Sequence, residues 1–238
     1  MKKITLLVPC YNEEKSIGKV IDDIPRDSLK RNGYTIEVLV VDNNSKDKTA
    51  EVAKKKGARV IEEMKQGKGN AVRTGFKNIS KDTDFIVMLD GDSTYHPEEM
   101  LRLIEPLASG FGDAIIGSRL EGKMNGHALT MSHRLANWFF TFITRHFYPN
   151  ANVSDTCTGY FAWTKKAITI LNGYIESKGF AIEAEMITKM AKLGLHIYSV
   201  PITYSPRCEG TESNLRPFSD AMKITSMLIK NIKWSPKK

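Results

Sequence analysis

"FIVMLDGDSTYHPEEM", residues 85–100, is the stretch on which the fold turns. Four apolar residues, Phe85 to Met88, run into Leu89, and then Asp90 and Asp92 flank Gly91. A short, partly β-branched apolar run reads as a strand buried on both faces. Gly91 permits a bend that turns both carboxylates toward the carboxyl edge of a sheet. Two readings of the acids stand side by side. They hold a hard divalent cation, Mg²⁺ or Mn²⁺, which takes oxygen ligands and bridges protein carboxylates to phosphates. Alternatively, Asp92 or Ser93 caps a helix that begins near Pro97 or Glu98. The tripeptide alone does not choose between them.

Similar apolar runs precede it at 4–9, 36–42 and 58–63, and this strand itself spans 84–90. Between them lie polar segments with helical spacing at 13–24, 45–57 and 69–80. Ile17, Val20, Ile21 and Ile24 fall on one helical face, and Ser45 and Gly57 are placed to cap the second helix. Alternation of this kind predicts an α/β fold, a Rossmann-like, mostly parallel sheet with helices on both faces. Ligands then sit beyond the carboxyl ends of the strands, where the polar motifs after Val8, Val41 and Leu89 fall. Further along, 112–119 and 195–204 read as strands, the latter near an edge or bulge because of Pro201. Helices are expected at 132–148 and 181–194, with a basic amphipathic helix at about 218–234. No repeat, low-complexity tract or linker interrupts the chain, so residues 1–238 are read as one catalytic-sized domain.

The 238 residues are 41% apolar and 26% charged, the profile of a globular protein. The net charge of +8 implies an acidic partner: nucleic acid, an anionic membrane or a phosphorylated substrate. The lysines are scattered rather than clustered with aromatics, which argues against nucleic acid. Cys10, Cys157 and Cys208 lie far apart and suggest neither zinc nor a disulfide framework. The N-terminus does not read as a signal peptide, and no apolar run is long enough to span a membrane. The expected location is cytoplasmic, with any membrane contact peripheral.

Three more motifs carry chemistry. In "VPCYNEE" (8–14), Tyr11 can stack on a base and Glu13 can accept hydrogen bonds from base or ribose. The bland alternative makes Asn12 a cap and Glu13 a dipole partner. In "VVDNNSKDKT" (40–49), Asp42 at a strand end can bind ribose hydroxyls or help place a metal, while Asn43, Asn44 and Ser45 read as turn residues. In "QGKGNAVRTGF" (66–76), a glycine turn with Lys68 opens a helix, an arrangement that attracts phosphate. It matches neither GxxxxGK[ST] nor GxGxxG.

In this order and spacing, the four motifs resemble the family-2 inverting glycosyltransferases of the GT-A fold. "GSRL" (117–120), "DTCTGYFAW" (155–163), "KGFAIEAEM" (178–186) and "VPITYSPRCEGTESNL" (200–215) look like the branch that loads sugars onto polyprenyl phosphates, which includes the dolichyl-phosphate mannose and glucose synthases. The likeness covers nearly the whole chain. It implies that Asp90 and Asp92 hold Mg²⁺ or Mn²⁺ on the diphosphate of a nucleotide-sugar. Pro9, Tyr11 and Glu13 would line base and ribose beside Asp42, with Lys68 and Gly91 near the nucleotide. Arg119 and Arg134 would lie near an acceptor phosphate. Asp155 and Gly159 would flank the sugar, and Arg207 and Ser213 would close over the donor. Three features depart from the family's pattern. Asn43 stands where many relatives have a second acid, "DGDSTY" differs from the mannose synthases' usual DAD, and within these residues no transmembrane helix is expected after the catalytic part.

The activity so implied is transfer of a hexose from a UDP- or GDP-sugar to dolichyl or polyprenyl phosphate with inversion, for glycan assembly. An ionised acceptor phosphate needs no general base. It needs a metal on the leaving diphosphate and cations on the incoming phosphate. The rival is a same-fold enzyme acting on a hydroxyl, which needs a catalytic acid in the second half; Glu183 and Glu185 are the candidates there. Two segments are expected at a membrane surface on its cytoplasmic face. One carries Trp138, Phe139, Phe142 and Phe147 beside Arg134 and Arg145. The other sets Met222, Leu228, Ile229 and Ile232 against lysines. A homo-oligomer or a separate membrane-anchoring partner stays open.

Overall fold

The computed structural model describes residues 1–208, 211 and 216–236. Its strands and helices follow in the order β1 (Lys2–Cys10), α1 (Ile17–Asp22), α2 (Arg26–Arg31), β2 (Tyr34–Asp42), α3 (Thr49–Lys55), β3 (Arg59–Glu62), α4 (Lys68–Lys77) and β4 (Phe85–Met88). A single 3₁₀ turn, Pro97–Glu99, leads into α5 (Met100–Ala108). The second half adds β5 (Ala114–Met124), α6 (Met131–Phe147), β6 (Ala151–Asn152), β7 (Phe161–Thr164), α7 (Lys165–Leu171), α8 (Ile182–Lys192), β8 (Ile197–Tyr204) and α9 (Pro217–Ile232). All eight strands join one sheet in the order β3-β2-β1-β4-β7-β5-β8-β6. Every pairing is parallel except those of β7, which runs antiparallel between β4 and β5.

Strand periodicity sorts the core into two layers. Leu7, Leu39, Val41, Ile86 and Met88 face α4, α7 and α8. Their neighbours Leu6, Val8, Val38, Val40, Phe85 and Val87 face α1, α2, α3 and α5. Successive strand residues point to opposite faces, so both faces of these strands are apolar and both are covered. Each fully buried Leu, Ile or Val contributes roughly 1.5–3 kcal/mol of transfer free energy. A third, smaller cluster joins Phe140 of α6 and Ala184 of α8 to Ile224 and Leu228 of α9. It sets α6 and α9 side by side at one end of the molecule.

Several sequence expectations shift by a turn. The helix expected at 13–24 starts at Ile17, because residues 13–16 form a turn in which Ser16 N donates to Glu13 O. Ser45 does not cap α3, which begins at Thr49; its hydroxyl instead accepts from Asn12 N at 3.0 Å. Neither Asp92 nor Ser93 caps the helix after β4, since the 3₁₀ turn has His96 at its N-cap and no side-chain cap bond. Gly91 does not supply the bend: the left-handed residue is Ser93, at φ 61°. Gly91 is needed for closeness, because a Cβ there would fall 2.5 Å from Cys10 Sγ. Pro201 does mark a bulge, where the β5–β8 register slips between Ser118 and Lys123.

Candidate active site

The carboxyl ends of β1, β2 and β4 lie together, as the parallel order β2-β1-β4 requires. Beyond them is a cavity of about 380 Å³ lined by Pro9, Tyr11, Glu13, Asn43, Lys68, Asp90, Gly91, Asp92 and Arg207, among others. A second cavity of about 350 Å³ lies between the sheet edge and helices α6, α8 and α9. The two share Lys68, Asp90, Asp92, Phe180 and Arg207.

At that shared wall, acids and bases alternate. Lys68 Nζ lies 2.6 Å from Asp90 Oδ1 and 2.6 Å from Glu183 Oε1. Arg207 bridges Asp92 Oδ2 at 2.7 Å and Glu13 Oε1 at 3.2 Å. Burial works against the Lys68 charge, but Asp90 and Glu183 outweigh it and push the pKa up. Burial, then the neighbouring Asp90 carboxylate, raises the pKa of Asp92, against the pull of Arg207 and Thr94. Burial likewise raises Glu13, opposed by the Ser16 hydroxyl, which donates to it at 2.8 Å. Asp92 is held from behind by Thr94, whose N–H and hydroxyl donate to Oδ1 at 3.0 and 2.6 Å. That leaves Oδ2 facing Arg207.

The residues suit a divalent cation bridged to a ligand rather than a closed metal cage. Among the described residues no three His, Cys, Asp or Glu side chains converge on one point. Two neighbouring carboxylates, here each held by a cationic side chain, are the oxygen donors that Mg²⁺ or Mn²⁺ takes on a diphosphate. Gly159 makes this possible by its lack of a side chain: a Cβ there would fall 2.6 Å from Asp90 Oδ2. Asp42 lies beside Cys10 in the β1–β2 register, and its buried Oδ1 has no hydrogen-bond partner among the described residues. Asp42 itself lines neither cavity; the lining residues next to it are Cys10 and Asn43.

Asn43 explains one departure from the family's pattern. Its Nδ2 donates to Glu63 O and Lys65 O, both at 2.9 Å, and its Oδ1 accepts from Gly67 N at 2.7 Å. A carboxylate has no protons for those two carbonyls. The amide therefore shapes the loop that presents Lys68.

Other predicted residues land elsewhere. Arg119 lines the second cavity, but its guanidinium is locked on Asp155, at 2.8 and 2.9 Å. Asp155 is fully buried and also accepts from Asn137 Nδ2 at 2.6 Å. Burial opposes its charge, yet Arg119 and Asn137 hold its pKa below the usual carboxylate value. The pair braces the cavity wall. Arg134 is exposed on α6 and lines neither cavity; His133 does. Ser213 lies outside the described residues. Sequence reasoning missed Asn43 as a loop tie and Phe180, Tyr95, Tyr204 and Asn137 as cavity walls. None carried a local signal, because what unites them is the packing of separate elements.

The match to known proteins decides the family. Residues 5–170 fit the profile described as Glycosyl transferase family 2. The chain belongs to glycosyltransferase family 2. Glycosyltransferase AglJ of Haloferax volcanii is 35% identical over 221 residues, 91% of this chain and 68% of the relative. The dolichyl-phosphate hexose transferase of the same organism is 32% identical, over 95% of this chain and 92% of its own. Among solved structures, glucosyl-3-phosphoglycerate synthase from Mycobacterium tuberculosis, in complex with Mn²⁺, UDP and glucosyl-3-phosphoglycerate, superposes with a TM-score of 0.72 at 22% identity. The match covers all of this chain and 82% of that one. The family-2 enzyme thus has the GT-A fold, with its mostly parallel eight-stranded sheet.

Proposed function

We propose that this glycosyltransferase moves a hexose from a nucleotide-sugar to a polyprenyl or dolichyl phosphate, inverting the anomeric carbon. One observation carries the reading: two cavities meet at a wall built from Asp90, Asp92, Lys68 and Arg207. The first cavity suits the donor. Tyr11 lines it with a ring to stack on a base, and Glu13 lines it with a carboxylate to accept from base or ribose. The second suits a phosphate with an apolar tail, since Ala136, Phe140, Ala184 and Ile224 line it along with Arg207.

Asp90 and Asp92 would hold a divalent cation, which when bound neutralises charge on the leaving diphosphate. Lys68 and Arg207, both at the shared wall, offset the negative charge gathered there. The acceptor phosphate oxygen forms a bond to the anomeric carbon as the bond to the diphosphate breaks, and the nucleoside diphosphate leaves with the electron pair. No proton need be removed, because the phosphate is already ionised. The geometry agrees. Among the described residues, every carboxylate lining the second cavity is paired: Asp90 and Glu183 with Lys68, Asp92 with Arg207, Asp220 with Lys223. Glu185, the other candidate base, is fully buried and lines neither cavity.

The tail's surroundings support a peripheral membrane setting. Met131, Leu135, Trp138 and Phe142 recur along one face of α6, each more than half exposed. Phe218, Met222 and Ile229 are exposed on the adjoining α9. An apolar patch rimmed by Arg134, Arg145 and Lys223 suits an anionic lipid surface. The expected α9 face is corrected in one respect: Leu228 is fully buried and Ile232 half-buried, both in packing contacts. None of the described helices is long and apolar enough to cross a membrane.

The test is to incubate the protein with Mn²⁺ or Mg²⁺, polyprenyl phosphate and a panel of labelled UDP- and GDP-sugars. Label is expected in the lipid phase with one donor. Transfer to a hydroxyl acceptor, with none to lipid phosphate, would overturn the proposal.

A further inference from the structure

Helix α8 carries two acids in its first turn, and only Glu183 meets the active site. Glu185 is turned the other way and has no contact with solvent. Its Oε1 accepts from Glu176 N at 3.0 Å and its Oε2 from Ser177 N at 2.7 Å. Lys189, one turn later and 1% exposed, lies 2.7 Å from Oε1 and donates to Tyr174 O. Trp234 packs beside the pair, its ring 5.2 Å from Lys189 Nζ and edge-on to Tyr174. The ion pair thus grips the loop 174–177 at three points, Tyr174 O, Glu176 N and Ser177 N.

That loop is the back wall of the turn that presents Lys68. A Cβ on Gly67 would lie 2.1 Å from Lys178 O, and one on Gly69 would lie 2.2 Å from Ser177 O. Asn70 N donates to Lys178 O at 3.3 Å. The two backbones touch with no side chain between them, so a shift of the loop is a shift of the turn. A buried ion pair is weak evidence for stability, since apolar residues of similar volume often serve as well. What such residues cannot do is accept the two N–H bonds that set the loop's height.

We infer that Glu185, oriented by Lys189, is a positioning residue for the donor. Through the 174–178 loop it holds the glycine turn at the height where Lys68 meets Asp90. It rests on the reading of the first cavity as the nucleotide-sugar site. It also accounts for the two glycines around Lys68: a Cβ on either would strike the carbonyl of Lys178 or Ser177, and Gly67 is in addition left-handed at φ 129°.

The double variant Glu185→Leu/Lys189→Met removes both charges while conserving volume. It is expected to fold, with a cooperative thermal transition, and to raise the KM for the nucleotide-sugar at least tenfold. The KM for lipid phosphate should stay within twofold. Amide exchange in residues 66–71 should quicken at least tenfold, with β1 unchanged. The milder Glu185→Gln, which keeps one acceptor oxygen, should fall between, and it decides if the double variant fails to fold. A folded variant with donor KM within twofold, or with unchanged exchange at 66–71, overturns the inference. If the unmodified protein transfers no sugar from any donor, the functional reading falls, and the exchange comparison alone decides the role of Glu185.

Discussion

Asp92 shows how a residue gains meaning from its neighbours. Thr94 holds one oxygen and Arg207 meets the other, inside a wall common to both cavities. Asp92→Ala is expected to lower metal-dependent transfer by at least a hundredfold, measured with labelled donor, while circular dichroism shows the fold retained. Wild-type turnover in that variant would mean the acids only shape a loop. Gly159 acts on the same wall by absence. Gly159→Ala sets a methyl 2.6 Å from Asp90 Oδ2, so the carboxylate must turn away. Mn²⁺ affinity, read by electron paramagnetic resonance, should fall about tenfold or more, with the thermal midpoint within a few degrees of the unmodified protein. Sequence alone pointed at Asp90 and Asp92, because two acids after an apolar run is a local signal. It could not show why Gly159 matters, because its partner lies sixty-nine positions away (159 minus 90).

At the scale of elements, the strands were legible and the caps were not. Apolar runs of four to seven residues announce buried strands wherever they occur. Caps depend on which side chain another loop takes: Ser45 was taken by Asn12, and Thr49 by Glu13, whose N–H donates to it at 2.8 Å. β7 escaped notice as a strand for a related reason. Four residues between a turn and a helix carry little pattern, and their antiparallel place between β4 and β5 is set by the sheet. The opposite end of the sheet supplies a stability test. Glu37 on β2 binds Lys3 of β1, Arg59 of β3 and Ser80. Partial burial opposes its charge, but Ser80, Lys3 and Arg59 hold its pKa down at about 2. A carboxylate depressed in the folded state stabilises above its unfolded pKa and loses that contribution as pH falls through the folded one. Stability should therefore decline between about pH 4.5 and 2. Solvent screening limits the Glu37 share to about 1 kcal/mol. Urea unfolding of Glu37→Gln across that window should show a shallower loss than the unmodified protein.

On the scale of the whole molecule, the sheet divides the labour. Parallel strand ends gather the residues of the first cavity, while α6 and α9 flank the second and carry the exposed apolar face. Trp138→Ala/Phe142→Ala should reduce co-sedimentation with vesicles containing anionic lipid at least fivefold. Turnover of a short, water-soluble isoprenyl phosphate should be unchanged. Equal vesicle binding by that variant would remove α6 from the membrane surface. The amino-acid sequence by itself determined the layered α/β plan, the strand-end motifs and the acidic pair, because periodicity and local composition encode burial and turns. Only the tertiary structure decided which cation meets which acid. Lys68 went to Asp90 and Glu183, Arg207 to Asp92 and Glu13, and Arg119 to Asp155. The physical reason is that a charge finds its partner by distance in space. Those distances are set by long-range packing of a sheet against its helices, which no short stretch of sequence contains.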